Sequence, residues 1–499
     1  MSDQRHPFAQ KLIHYGTIAL TVLALVLLGS WRSPVLASPA RHYTELTFPP
    51  LPEIELPDYT RYEMDNGIVV YLMEDHELPL VGGSATFRTG DRFEPAEKTG
   101  LASIMGEVMR SGGTVNHPPD RLNQILEQRA ASVETGVDIS SGSASFSALS
   151  EDLAEVFGLF AEVIRQPAFP QDKIELSKTQ FRGSISRRND DPDEIVGREF
   201  QKLIYGTESP YARTVEYTTL DNISRDDLVQ FYQTYFQPST MILGIVGDFD
   251  TETMRSLIEE QFGDWQPAPS AADLTLPAVN QANQGGVFLV DQPQLTQSFI
   301  QMGHLGGQLN SPGYVPLSVL NEVMNGFGGR LVNEVRSRQG LAYVVYAYWS
   351  ARFDYPGVFI GGGQTRSEAT VSFIQSVLAE IEKIRTSPIS DIELARAKDA
   401  VLNAFIFNFQ TPAQVLSRLI RYEYFGYPSD FIFRYRREIE NTTTADILEA
   451  AQTYLQPDQI VTLVVGNSAA INPPLSSLAP GVEVIPVDIT IPEAVTSRQ

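Results

Sequence analysis

Tyr235-Phe-Gln-Pro-Ser-Thr-Met-Ile-Leu-Gly-Ile-Val-Gly-Asp248 returns 219 residues later as Tyr454-Leu-Gln-Pro-Asp-Gln-Ile-Val-Thr-Leu-Val-Val-Gly-Asn467, with five identities in fourteen positions. Two shorter echoes keep the same order. Ile174-Glu-Leu176 recurs as Ile392-Glu-Leu394, and Ser103-Ile-Met-Gly-Glu-Val-Met109 as Ser318-Val-Leu-Asn-Glu-Val-Met324, at offsets of 218 and 215. Three matches in one order at nearly one offset mark a duplication. The body is therefore two homologous halves of roughly 200 residues, an ordinary domain size. Each half mixes β-rich runs with amphipathic helical stretches, which predicts an α+β protein. Ser103 to Met109 has helical character. Ala342 to Trp349 is β-rich, with Tyr343, Val345, Ala347 and Trp349 on one face.

Outside the repeats the chain divides as follows. Residues 1–37 carry Arg5 and Lys11, an uncharged run from Tyr15 to Trp31 and the small-residue site Val35-Leu36-Ala37. That is the pattern of a secretory signal, and an uncleaved N-terminal anchor is the other reading. Both place the body outside the cytoplasm, in the periplasm or another extracytoplasmic space, with membrane contact only through that segment. Residues 38–60 are a proline-rich lead-in, 61–265 the first domain, 266–282 a Pro/Ala/Gln-rich linker, 283–470 the second domain and 471–499 a tail.

Composition removes several classes. Of 499 residues 42% are hydrophobic and 20% charged, which is globular. The formal charge is −24, the wrong sign for nucleic acid. Cleavage after Ala37 would leave −26, since Arg5, Lys11 and Arg32 go with Asp3. With no cysteine, disulfides, thiolate metal sites and cysteine nucleophiles are excluded. The histidines after the signal are His42, His76, His117 and His304; none forms a metal-binding spacing, and they read as loop or surface residues. No GxSxG, Walker or GxGxxG pattern occurs.

One constellation carries chemistry: Gly328-Gly-Arg-Leu-Val-Asn-Glu-Val-Arg336-Ser-Arg-Gln-Gly-Leu-Ala-Tyr343. A helix-like segment ends near Gly340 and a strand begins at Tyr343. Arg336 and Tyr343 can then face one cleft, offering a planar cationic fork and a neutral phenol donor to peptide carbonyls. Read from spacing alone, a surface ion-pair arginine and a half-buried strand tyrosine stand as the alternative.

These residues, with Asn66-Gly67-Ile-Val-Val-Tyr-Leu72, Arg88-Thr-Gly-Asp-Arg-Phe-Glu-Pro95, Lys98-Thr-Gly-Leu-Ala102 and Gln301-Met-Gly-His-Leu-Gly306, resemble the pitrilysin/insulinase-type metallopeptidases. The resemblance runs from about Tyr62 to Asn467 and implies two homologous α/β-sandwich halves forming a clam-like unit. The family carries an inverted zinc motif, HxxEH, directly after the Gly-Leu-Ala equivalent. Here that register places Ser103 and Glu107 at the two histidine positions and Gly106 at the base. Anchoring on Asp190-Asp-Pro192 places the third ligand at Ser184. No metal is expected in this chain, because serine is a poor zinc ligand and glycine no base. Displaced ligands such as Glu107 and His117 are the rival reading.

By the same resemblance, Arg336 and Tyr343 match the pair that contacts the substrate carbonyl and stabilises the tetrahedral intermediate. The chain is thereby similar to the noncatalytic subunit of processing peptidases. The implied partner is a zinc-motif-bearing homologous subunit, in a heterodimer whose zinc sits in that partner and whose substrate is a peptide. A catalytically inactive scaffold or peptide-binding protein is the alternative. Asn325-Gly-Phe-Gly-Gly329 falls where such subunits carry a glycine-rich substrate loop, and a plain turn is the other reading.

Overall fold

The computed structural model describes residues 56–268 and 273–492. The signal or anchor and most of the lead-in lie outside these residues. The first half runs β1 (Thr60–Glu63), β2 (Val69–Glu74), β3 (Leu80–Phe87), α1 (Leu101–Ser111), α2 (Pro119–Gln128), β4 (Ser132–Val137), β5 (Gly142–Leu149), α3 (Leu153–Arg165), α4 (Gln171–Arg187), α5 (Pro192–Tyr205), α6 (Tyr217–Asp221), α7 (Arg225–Tyr235), β6 (Met241–Gly247) and α8 (Thr251–Phe262). The second runs β7 (Val287–Asp291), β8 (Gln297–Leu305), α9 (Tyr314–Asn325), a π-helix (Val332–Arg338), β9 (Ala342–Ser350), β10 (Val358–Arg366), α10 (Thr370–Thr386), α11 (Asp391–Phe405), α12 (Pro412–Phe425), α13 (Phe431–Asn441), α14 (Thr444–Tyr454), β11 (Val461–Gly466) and β12 (Val484–Pro486). No helix among the described residues is long and apolar enough to cross a membrane.

Two six-stranded mixed sheets result, in the orders β1-β2-β6-β3-β5-β4 and β12-β7-β11-β8-β10-β9. Five strands of one sheet repeat five of the other. The repeated Tyr-x-Gln-Pro stretch leads into the central strands β6 and β11. Each pairs parallel on one side and antiparallel on the other. Their sequences are almost wholly apolar because both faces are covered. The outermost strands β1 and β12 break the symmetry: β12 arises in the stretch whose proline and serine content suggests a tail, and pairs parallel with β7.

The halves exchange helices. One face of each sheet packs on its own half's helices, in cores that include Phe157 and Phe160 in the first half and Phe373 and Ile374 in the second. The other face takes a helix from the opposite half. Ile195, Val196, Phe200 and Ile204 of α5 cover Val461, Leu463 and Val465. Val415, Leu416, Leu419 and Ile420 of α12 cover Tyr71, Met73 and Ile242. Gly244 in β6 makes room for this: a Cβ there would lie 2.1 Å from Ile420 Cδ1. Eight buried side chains of this kind contribute on the order of 10–20 kcal/mol as an upper figure. That is comparable with the whole ~5–15 kcal/mol net stability of a typical domain, so the seam is a large part of what holds the halves together. Polar ties reinforce the seam, including Tyr205 Oη donating to Pro356 O at 2.9 Å and Arg92 paired with Asp354 at 2.7 Å.

Candidate functional site

Arg336 sits on the π-helix between α9 and β9. Leu331 and Val335 bury its inner side. Arg330 fixes its start by a two-point contact with Glu393, at 2.7 and 3.0 Å. That guanidinium holds the Glu393 carboxyl down to about 2. Glu334 accepts from both Arg338 and Gln339 Nε2 at the other end. Gly340 then takes a left-handed φ of 62°, and the chain reverses into β9. The wide turn of a π-helix is a feature often found at functional sites.

This turn brings Arg336 and Tyr343 together, with the guanidinium carbon 4.8 Å from the ring centroid. Tyr343 is 80% exposed, although Val345, Ala347 and Trp349 on the same strand face are buried. Arg336 enters no ion pair among the described residues, whereas its neighbours Arg330 and Arg338 do. The stack contributes ~0.5–1 kcal/mol at such an exposed place. It leaves the guanidinium N–H groups and the phenol O–H free to donate to a carbonyl oxygen.

Sequence reading missed two residues beside the pair. β9 is the last strand of its sheet, and its free edge is occupied by asparagine side chains of α9. Asn325 Nδ2 donates to Ala347 O at 2.7 Å, and Ala347 N–H donates to Asn325 Oδ1 at 2.8 Å. Asn321 brackets Trp349 the same way, at 3.1 and 2.7 Å. The two amides replace a neighbouring strand, which blocks edge pairing there. The available signal was a pair of asparagines at i, i+4 on a helix, where asparagine is a poor helix former. The Gly326–Gly329 stretch is a tight turn with Gly329 N–H donating to Gly326 O at 2.6 Å, and it presents a fully exposed Phe327.

The positions that the resemblance places at the zinc motif lie on α1 and α4. Ser103 is half-buried, Gly106 buried and Glu107 exposed. Glu107 accepts from Ser177 Oγ at 2.6 Å. Ser184, two turns beyond Ser177, is exposed and donates to Gln180 O of its own helix at 3.3 Å. Gly106 lies against the edge strand β4. A Cβ on it would stand 2.7 Å from Val137 N and 2.9 Å from Gly136 C. Thr135 Oγ1 donates to Gly106 O at 2.6 Å and Arg110 Nε to Val133 O at 2.7 Å, locking helix to strand. There is no space for a general base at 106.

The histidines are dispersed. His117 contacts Glu162 at 2.8 Å, not Glu107, so the displaced-ligand arrangement is not assembled. His76 contacts Asp248 and Glu74 on the surface. His304 departs from the loop-or-surface expectation: it is buried within β8, where Nδ1 meets Leu305 O at 2.8 Å and Nε2 meets Gln456 N–H at 3.1 Å. A strand residue flanked by apolar neighbours is buried whatever its side chain if its face packs on the core. Among the described residues no group of three His, Asp or Glu side chains is arranged to hold a metal ion. The Arg88–Pro95 motif serves α1 instead: Glu94 accepts from Gly100 N–H and Ala102 N–H at 2.8 and 2.9 Å. Burial pushes its carboxyl up to about 7 against those two donors.

Two sequence profiles match this duplicated architecture. Residues 70–218 match the insulinase profile of peptidase family M16, and residues 222–401 the profile described as the M16 inactive domain. The chain belongs to the M16 (insulinase) peptidase family. Among its relatives, an uncharacterized zinc protease YmxG of Bacillus subtilis is 23% identical, over 72% of this M16 chain and 86% of that protein. A Helicobacter pylori protein described as a non-peptidase homolog YmxG is 22% identical, over 80% and 92%. The crystal structure of an M16 inactive domain from Pseudomonas fluorescens superposes with a TM-score of 0.72 at 23% identity, covering 84% of this chain and all of that one. This M16 chain thus shares the fold of an M16 inactive-domain structure.

Proposed function

We propose that this M16 chain is the zinc-free, substrate-binding subunit of a two-chain peptidase. A homologous partner supplies the zinc and the base, and this chain supplies Arg336 and Tyr343. The carrying observation is the stacked, solvent-facing pair at 4.8 Å, with a cation that no carboxylate of the described chain neutralises. In the complex, the guanidinium and the phenol hydroxyl donate to the carbonyl oxygen of the scissile bond. Those donors strengthen as that oxygen gains charge, which is how an oxyanion site lowers a barrier. The substrates are unfolded peptides small enough to enter a chamber between the chains, and the basic, apolar N-terminal sequence supports a reaction outside the cytoplasm.

The test is peptide hydrolysis with and without the zinc-motif relative from the same organism. The single chains are expected to be inactive and the mixture active. Arg336→Ala and Tyr343→Phe are each expected to cost about 100-fold or more, the size of one lost oxyanion donor. Both side chains are exposed, so folding should be unchanged within about 0.5 kcal/mol. A mixture that pairs stably but ignores both substitutions would refute the role. That result would support the second reading, an inactive scaffold or peptide-binding protein, which the absence of room for a base at Gly106 equally accommodates.

A further inference from the structure

Helix α12 presents two faces of opposite character. Val415, Leu416, Leu419 and Ile420 seat it on the sheet of the first half. Gln414, Ser417, Arg418 and Arg421, at i, i+3, i+4 and i+7, form a polar stripe beside them. That stripe is one wall of a pocket of about 420 Å³, beyond the end of β9 remote from Tyr343. Phe353, from the loop between β9 and β10, and Phe407 and Asn408, from the 3₁₀ turn Ile406–Phe409 after α11, line the rest of it.

No carboxylate lines this pocket. Glu423, Asp430 and Asp354, the acids nearest in sequence to its walls, are each taken by another arginine, Arg61, Arg434 and Arg92, at 2.7 Å in every case. Arg421 is exposed and has neither an ion pair nor a hydrogen bond among the described residues; its guanidinium carbon lies 5.8 Å from the Phe353 ring centroid. Arg418 is partly exposed, and its Nη atoms meet only neutral groups, Asn408 Oδ1 and Tyr422 Oη. The exposed Ser417 hydroxyl adds a neutral donor on the same stripe. Two arginines thus stand without a carboxylate in a chain whose formal charge is −24.

The rim is apolar. Ile406 and Phe407 are neighbours on the 3₁₀ turn, 37% and 58% exposed. Large apolar side chains in water beside unneutralised arginines match the order of groups at a lipid surface, where acyl chains lie beneath a layer of phosphates. Leu56, the first described residue, packs in the same apolar cluster as Phe409 of this turn. The N-terminal sequence that reads as a signal or anchor therefore joins the body beside it. We infer that this pocket takes the phosphate of an anionic phospholipid at a membrane surface, with Arg418, Arg421 and Ser417 donating to its oxygens and Ile406 and Phe407 entering the acyl boundary. The rest of this acidic chain is repelled by such a surface, so the attachment is local, reversible and weakened by salt. It does not depend on the role of Arg336 and Tyr343.

Vesicle flotation of the chain beginning at Ser38 tests this, because that chain lacks the apolar leader and keeps every described residue. Attachment to phosphatidylcholine vesicles that contain phosphatidylglycerol is expected, with none to pure phosphatidylcholine and loss at high salt. Arg421→Gln should weaken it about 5-fold, the worth of one basic residue near an anionic surface. Phe407→Ser should weaken it about 10-fold or more, through the apolar area withheld from the acyl boundary. Both side chains are exposed, so the melting temperature should be unchanged. Phe407→Trp should retain attachment, with fluorescence shifted to the blue on the charged vesicles. Attachment to neither vesicle, equal attachment to both, or indifference to both weakening substitutions would overturn the inference. So would saturable binding of free glycerol phosphate without vesicle attachment, which assigns the pocket to a soluble phosphate ester.

Discussion

Replacing Gly106 by alanine sets two effects of opposite sign against each other. Within a helix, alanine is favoured over glycine by about 1 kcal/mol. At this position the added Cβ would stand 2.7, 2.9 and 3.0 Å from Val137 N, Gly136 C and Gly136 Cα. All three are backbone atoms of a paired strand, which no rotamer change can move aside. To restore ordinary contact of about 3.5–4 Å, β4 must retreat by roughly 0.8–1.3 Å. That movement strains its ladder with β5 and the bonds from Thr135 and Arg110. Overpacking of this kind costs ~1–3 kcal/mol, so after the helix-propensity gain the net expectation is destabilisation of up to about 2 kcal/mol. Gly158 in α3 is the control, because a Cβ there meets nothing within 4 Å. Gly158→Ala should stabilise by about 0.5–1 kcal/mol. Urea midpoints of the two variants, measured side by side, should move in opposite directions. A Gly106→Ala chain as stable as Gly158→Ala would refute the closed-site argument. By the same reasoning, adding Gly106→Glu to Ser103→His/Glu107→His should lower stability further rather than build a zinc enzyme.

Other outcomes follow from single groups. Asn325→Ala strips Ala347 of partners for both its N–H and its C=O. A loss of about 2 kcal/mol is expected, with faster amide exchange at Ala347 as the local readout. His304 has its proton affinity lowered below the ordinary 6.5, by burial. Its stabilisation is therefore complete above pH ~6.5 and lost as pH falls below it, and His304→Gln should flatten that acid limb of a stability–pH curve. Glu94 acts in the opposite sense. Its carboxyl is raised from 4.5 to about 7 by burial, so the folded state holds the proton longer and stability declines as pH rises across that interval. Glu94→Gln should remove this decline, and a variant that keeps it would show that another group titrates.

Much of the architecture is legible in the chain itself because duplication leaves a record. The Tyr-x-Gln-Pro repeat marks the approach to β6 and β11, and their unbroken apolar runs report burial on both faces. Yet the pattern cannot say what covers the second face. Helices α5 and α12 are amphipathic in the ordinary way, and nothing local shows that each packs on the other half's sheet. The glycine at 244 is intelligible only once Ile420 is placed against it.

The candidate site divides along the same line. Arg336 and Tyr343 are close in sequence across one turn, so their spacing and the glycine at 340 permit a shared face, while the same spacing equally fits a surface ion-pair arginine and a half-buried strand tyrosine. The reading of Ser103, Gly106 and Ser184 as replaced zinc-motif positions likewise rests on residue identity, since serine is a poor zinc ligand and glycine has no side-chain donor wherever it sits. Contacts between distant segments belong to tertiary structure. They include β4 closing the space at Gly106, the asparagines of α9 sealing β9, the burial of His304, and the pairing of Arg92 with Asp354 at the seam. Local sequence sets backbone preference and which face of an element is apolar. Which other surface meets that face depends on the joint packing of the whole chain, and that is settled only when both halves fold together.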